Sequence, residues 1–239
     1  MKLTTRRLIY GGLFCLIVIT LTYFLVDPPF MQKLRGKATV SDRLAQFGQA
    51  AQERWTPFFE KKQLAYPPAK LLLVGLKQEE LLEVYAADAT GKLQLLRTMP
   101  VQKSSGKIGP KLREGDYQVP EGFYRIESLN PNSAFHLSLR INYPNDFDRK
   151  QAEKEGRTNL GGDIMIHGSN ASVGCLAMGD EAAEDLFILA AQTGIENIEV
   201  ILSPVDFRKR AVPAEAQRPQ WVSELYGEIK KAMLALPRA

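Results

Sequence analysis

Cysteine and histidine are scarce in this chain, with two of each among 239 residues. Cys15 lies inside an apolar run, so Cys175 is the one thiol in the polar remainder. That remainder therefore has no disulfide framework of its own, and a lone thiol there stands out as reactive or as a small buried hydrophobe. Two histidines and one such cysteine fall short of the usual zinc sets without several carboxylates, so no metal site is expected. A dense Lys/Arg stripe with interleaved aromatics is also absent. The formal charge of +4 comes largely from Lys2, Arg6 and Arg7, ahead of the apolar run. No nucleic-acid partner is expected. Internal repeats and low-complexity tracts are missing, and a hydrophobic content of 45% suits a folded globular chain.

Charge is missing altogether from Leu8 to Val26. As a helix this stretch spans about 28 Å, close to a bilayer's hydrocarbon core. The basic residues before it favour a cytoplasmic N-terminus with the rest exported. The run ends in Val26-Asp27-Pro28-Pro29-Phe30 without a small-x-small cleavage site. We therefore expect an uncleaved signal anchor, with a cleaved signal peptide and a buried core helix as alternatives. Phe14, ahead of Cys15, is too large for a lipoprotein cleavage site, so Cys15 reads as an apolar filler. The expected divisions are an anchor over 1–30, a linker and helical neck over 31–68, a main domain over 69–205 and a helical extension over 206–239.

In the neck, Ser41 is placed to cap a helix with Leu44, Phe47, Ala51 and Trp55 at helical spacing, and Pro57 and Pro67-Pro68 punctuate the segment. The period then changes. Leu71–Leu76 is a short apolar run, and Leu81–Ala87 and Leu93–Thr98 flank a turn at Asp88-Ala89-Thr90-Gly91. Phe123–Ile126, Ile164–His167 and Ile198–Leu202 are further strands. Phe135, Leu137, Leu139 and Ile141 alternate with polar residues, which predicts a half-buried strand with its apolar side inward. The polar stretch from Pro144 to Gly162 has no apolar period and reads as a solvated loop or a lid. A helix starts at Asp180-Glu181, with Asp180 as its cap, and stops at Gly194. The last helix carries Val222, Leu225, Tyr226, Ile229 and Met233 on one face, suited to packing on the core.

The chemistry concentrates in Ile164-Met165-Ile166-His167-Gly168-Ser169-Asn170-Ala171-Ser172-Val173-Gly174-Cys175-Leu176-Ala177-Met178. A thiol is mostly protonated at neutral pH, and a neighbouring imidazole can take its proton to leave a nucleophilic thiolate. His167 is placed to do so for Cys175. No acid adjoins His167, so a backbone carbonyl is the candidate orienting group, with Gly168 permitting unusual geometry. Gly174 allows a sharp turn before the nucleophile, and backbone N–H groups around Gly174 and Cys175 are candidates for an oxyanion hole. Ser172 would brace this turn or contact substrate.

The motif resembles the active site of the YkuD-type L,D-transpeptidases, in which a strand ending in His-Gly leads to Ser-x-Gly-Cys. Here these are His167-Gly168 and Ser172-Val173-Gly174-Cys175. Upstream, Gly109-Pro110-Lys111, Gly115-Asp116-Tyr117-Gln118 and Pro120-Glu121-Gly122-Phe123-Tyr124 resemble the family's strand-turn signature. Asn130-Pro131, Phe135-His136 and Ile141-Asn142-Tyr143-Pro144-Asn145 resemble its YafK-like branch. A short His-to-Cys loop and Val173 before Gly174 fit that branch, which includes a hydrolase that releases a lipoprotein from peptidoglycan.

The resemblance implies a mixed, mainly β, sandwich-like catalytic domain with flanking helices, added to the N-terminal transmembrane helix. It implies Cys175 as nucleophile, His167 as base, the Gly168 carbonyl as orienting group and no cofactor. The substrate would be a peptidoglycan stem peptide attacked at the L-centre carbonyl of meso-diaminopimelate, with a thioester passed to an amine or to water. Murein-attached lipoprotein is a second expected partner, and the inner membrane holds the anchor of a periplasmic enzyme. An exported protein-cutting cysteine peptidase and a non-catalytic wall-binding module are the competing readings.

Ser169, His136, Arg140 and Tyr143 are candidate substrate contacts. Each has a plainer alternative: His136 and Arg140 as polar residues of a strand face, Tyr143 as a structural corner. Lys107 and Lys111 suit an anionic substrate or a polar turn. Asp163 suits the start of a strand better than a catalytic acid.

Overall fold

The first helix, α1 (Val40–Lys62), begins at Thr39, whose side chain accepts from the Asp42 N–H while Asp42 reaches back to the Thr39 backbone. This reciprocal box satisfies two orphan donors and makes Thr39, rather than Ser41, the cap. Pro57 lies inside the helix. It removes one N–H and frees the carbonyl of exposed Glu53 to water, so the helix tolerates it. Gln63 ends the helix in the left-handed conformation, with φ 53°. The buried stripe is Gly48, Ala51, Trp55 and Phe59, with Leu44 and Phe47 partly buried beside it.

The computed structural model describes residues 36–213 and 218–237. The expected anchor lies outside the described residues. Among those described, no helix is long and apolar enough to cross a membrane.

Nine strands follow: β1 (Leu71–Leu76), β2 (Leu81–Ala87), β3 (Leu93–Pro100), β4 (Lys103–Ser104), β5 (Gly122–Ser133), β6 (His136–Ile141), β7 (Met165–His167), β8 (Leu176–Ala177) and β9 (Ile198–Ser203). They lie in the order β3-β2-β1-β9-β5-β6-β7-β8-β4. The sheet is mixed: β1 with β9 and β7 with β8 run parallel, and the other pairs are antiparallel. The expected mixed, mainly β domain is present, and its nine strands are joined in one order through a shared strand. β5 joins its halves, because residues 122–125 pair with β9 and residues 126–133 pair with β6. Twelve residues give β5 the length to serve both halves.

Two apolar clusters hold the helices on the sheet. α1 and α3 (Asp180–Thr193) pack with Leu73, Val84, Leu137, Leu139 and Ile166 in the main core. α4 (Trp221–Ala235) buries the expected Val222, Leu225, Tyr226, Ile229 and Met233 against Leu72, Val74, Tyr85 and Ile201. The sheet thus buries alternate residues of β1 on opposite faces, which is why Leu71–Leu76 reads as an unbroken apolar run.

The segment 144–162 departs from the loop expected of it, since Asp146–Lys154 forms α2. Asn145 and Asp148 build a capping box, and Gln151 and Ala152 are buried with Asp148. Local capping starts this helix without an apolar stripe to announce it.

Trp55 is fully buried, and its indole N–H donates to the Asp185 carbonyl of α3 at 3.0 Å. Arg97 lies over its ring, 5.6 Å from the centroid, and also pairs with Asp185 at 2.9 Å. Trp55→Ala is expected to cost about 3–5 kcal/mol, the usual range for emptying a large aromatic site. Equilibrium urea unfolding measures this, and a loss below about 1 kcal/mol would show that α1 is not anchored there.

Candidate active site

β7 and β8 are adjacent parallel strands in which Ile166 faces Leu176 and His167 faces Ala177. One step back, this register sets Cys175 beside Met165, on the same sheet face as His167. The seven residues between the pair fold into the connecting loop. Gly174 takes φ 85°, and a Cβ there would lie 3.3 Å from the Gln118 carbonyl, so the turn requires glycine.

The loop is braced by hydroxyl groups. Ser172 Oγ accepts from the Cys175 N–H at 3.1 Å and donates to the Cys175 carbonyl at 2.6 Å. Ser105, on the segment after β4, accepts from the Gly174 N–H at 2.6 Å. The two backbone donors expected to form an oxyanion hole are therefore engaged by Ser172 and Ser105 here. Ser172 acts as a turn brace.

His167 is 1% exposed, and its Nδ1 lies 2.5 Å from the Gly168 carbonyl. A carbonyl only accepts, so Nδ1 carries the proton and the neutral ring keeps the Nε2 lone pair free. Burial pulls the imidazole below its ordinary pKa, against the opposing effect of the Gly168 carbonyl. Cys175 Sγ donates to the Asp163 carbonyl at 3.6 Å. Burial pushes this thiol up; the Asp163 carboxylate adds to the rise, while the Met165 N–H and the Lys111 ammonium oppose it. Both shifts favour a neutral resting pair.

Gly168 is required for space. A Cβ on it would lie 2.6 Å from Asp180 Oδ1, 2.8 Å from the Phe135 carbonyl and 3.0 Å from His136 Cβ. The β5–β6 turn and the start of α3 thus close on the backbone beside the imidazole. Asp180 is not a side-chain cap: α3 starts from Gly179 with no side-chain cap bond, and the Asp180 carboxylate accepts instead from the Ser169 N–H at 2.7 Å. Ser169 has φ 61°, and its carbonyl accepts from Gly179, so its backbone is committed to the loop.

The remaining candidates scatter. His136 Nε2 lies 2.9 Å from Glu184 Oε1 on α3, and its ring meets Phe47 edge-on at 5.4 Å. Arg140 is held between Glu127 at 2.9 Å and Asp163 at 2.6 Å, which ties it to the residue whose carbonyl receives the thiol. Tyr143 is buried, and its hydroxyl shares one proton between the carbonyls of Lys111 at 3.3 Å and Leu160 at 3.2 Å. It is a structural corner joining two loops. Lys111 is buried and bonded to Asp116 at 2.8 Å. Burial works against the Asp116 charge, but Lys111 and three backbone N–H groups hold its carboxyl below the usual range. Among the described residues no group of His, Cys, Asp and Glu is arranged to hold a metal.

Three participants escaped the sequence reading. Ser105 and the Asp163 carbonyl act through contacts distant in the chain. Phe135, expected inward, is 43% exposed and stacks on His167, with ring centroids 4.7 Å apart and planes 30° from parallel. The left-handed His136, with φ 71°, breaks the alternation, so the period starts only at Leu137.

A half-buried thiol and a buried imidazole with a locked tautomer, on one face of neighbouring strands, are the parts of a cysteine acyl-transfer site. Residues 69–200 match YkuD, the L,D-transpeptidase catalytic domain, and the chain belongs to this family. It is similar to YafK of Escherichia coli K12 and of strain O157:H7, at 35% identity over 129 residues, 53% of this chain and 49% of each relative. It thus spans about half the length of the curated relatives it matches. Among solved structures it is similar to the helical cell shape determining protein Pgp2 of Campylobacter jejuni, with 20% identity, TM-score 0.47 and coverage of 69% of this chain and 54% of that one. It is also similar to L,D-transpeptidase 1 of Mycobacterium tuberculosis, with 17% identity, TM-score 0.32 and coverage of 56% and 61%.

Gly168→Ala must displace either the β5–β6 turn or the His167 carbonyl lock. The expected result is a loss of Cys175-dependent activity on the order of 10²-fold, the scale of a misplacement near 1 Å. Circular dichroism should remain native. Full activity in this variant would show that the close approach does not set the imidazole.

Proposed function

We propose that the chain is a peptidoglycan-modifying cysteine enzyme. The observation that carries this reading is the His167 tautomer, fixed by the Gly168 carbonyl so that Nε2 can receive a proton on the sheet face that carries Cys175. Cys175 attacks the L-centre carbonyl of meso-diaminopimelate in a stem peptide as its proton passes to His167. The tetrahedral intermediate expels the amine on the far side of the bond, and the imidazolium returns the proton to that amine. A thioester remains on Cys175. In the second step an amine or a water attacks the thioester, deprotonated by the now neutral His167, and the thiol is regenerated. An amine acceptor makes the reaction a transpeptidation. Water makes it a hydrolysis, whether of a stem peptide or of the bond between stem peptide and lipoprotein.

The same reading sets the domain in the periplasm, tethered to the inner membrane through Leu8–Val26. The uncharged run and the basic residues before it support this placement.

Incubation with purified peptidoglycan, with and without covalently attached lipoprotein, followed by mass spectrometry, tests the reading. New diaminopimelate cross-links or newly attached protein identify an amine acceptor. Loss of a terminal residue or release of lipoprotein identifies water. Cys175→Ala is expected to abolish every product, and His167→Ala to slow the reaction roughly 10²–10⁴-fold, the usual contribution of a general base. Products that persist in Cys175→Ala would overturn the mechanism. Cleavage of exported proteins with no effect on the wall would favour the protein-peptidase reading.

A further inference from the structure

We propose that Phe135 is a positioning residue for this reaction: its ring lies face-on against His167, holds the imidazole toward Cys175 and stabilises the imidazolium formed when the thiol gives up its proton. The inference rests on the reading of Cys175 and His167 as the reacting pair.

The β5–β6 turn spends conformational freedom to present this ring. Phe135 N–H donates to Ser133 Oγ at 3.1 Å. His136 occupies the left-handed region, with φ 71°, which is uncommon for a non-glycine residue. It is held there by Glu184 of α3 at 2.9 Å and by the edge of Phe47 of α1. The Phe135 carbonyl and His136 Cβ press on the Gly168 backbone, where no Cβ fits. A side chain that alternation would turn inward is instead left 43% exposed, with its face 4.7 Å from the imidazole centroid. An exposed phenyl ring that needs this support is poorly explained by core packing.

The ring's chemistry matches the step. Its face carries the negative end of the quadrupole, which attracts a cation more than a neutral ring. His167 is neutral at rest and becomes a cation when Cys175 ionises, so the contact strengthens as the thiolate–imidazolium pair forms. The imidazole's orienting partner is the Gly168 carbonyl, and among the described residues no carboxylate forms an ion pair with it. The charged and titratable groups around the pair are Asp163 and Lys111, which act on Cys175, and Asp180, which is bonded to the Ser169 N–H. His136 and Glu184 pair with each other behind the turn. On β6, Ser138 stands opposite His167 in register; it is buried, and its hydroxyl has no hydrogen-bond partner among the described residues.

The test compares Phe135→Leu, which keeps an apolar cover but has no aromatic face, with Phe135→Tyr, which keeps the face. The full chain is alkylated with iodoacetamide across a pH series, and Cys175 is followed by peptide mass spectrometry to separate it from Cys15. Phe135→Leu should lower the rate at neutral pH about threefold or more and move the midpoint of the rising limb to higher pH, because the lost contact belongs to the ion pair. Phe135→Tyr should follow the wild type. On wall substrate, Phe135→Leu should lower kcat with KM near the wild-type value. Melting temperatures close to the wild type show that the fold is intact. Leucine and tyrosine variants that share one pH midpoint would overturn the proposal. His167→Ala serves as the control: an alkylation profile unchanged by it would remove the reacting pair itself, and this proposal with it.

Discussion

Three segments meet on the backbone of Gly168. Its N–H donates to the Leu137 carbonyl of β6 at 3.1 Å, its carbonyl accepts from His167, and its bare Cα receives the β5–β6 turn and the Asp180 carboxylate. The imidazole tautomer, the placement of Phe135 and the seating of α3 beside the loop all depend on this point. A Cβ there would lie within 3.0 Å of the Asp180 carboxylate, the Phe135 carbonyl and His136 Cβ and force them to shift. The constraint is therefore one of volume, and dihedral freedom is secondary: Gly168 does not adopt a positive φ, whereas Gly174 at the other end of the loop does.

The electrostatics of the site follow from burial. Cys175 and His167 are both shifted toward their neutral forms, which is what desolvation does to a thiol and an imidazole alike. Charge separation must then be supported by fixed dipoles and by groups that gain from it. The Met165 N–H and the Lys111 ammonium act on the sulfur side, and the Gly168 carbonyl acts on the imidazole side. Lys111 stays buried because Asp116 and the Arg113 carbonyl receive its ammonium. The Gly115-Asp116 turn is thereby coupled to the charge balance of a site far along the chain.

Much of the strand order along the chain was legible. The runs Leu71–Leu76, Leu81–Ala87 and Ile198–Leu202 are strands, because apolar and alternating patterns report burial on a sheet directly. The C-terminal helix face was legible residue by residue for the same reason. The polar α2 was not, since a capping box and a few buried positions start a helix that carries no apolar stripe. Pro57 misled because a proline's cost depends on whether the carbonyl it frees can meet water. The join between the two halves of the sheet was illegible in principle: β5 looks like any long strand until its two ends are seen to pair with different strands.

For the site, the sequence alone singled out Cys175 and His167 as the candidate pair, with the glycines beside them, because scarce reactive residues set among small ones mark chemistry at short range. It also supplied the carbonyl of the next residue as the orienting group, a contact between neighbours in the chain. Tertiary structure decided the rest. Ser105 braces a loop 69 residues away, the Asp163 carbonyl receives the thiol, and Phe135 leaves the core for the imidazole. These depend on which strands become neighbours and which turn departs from its period. Periodicity reports whether a residue is buried, while strand pairing determines what it is buried against.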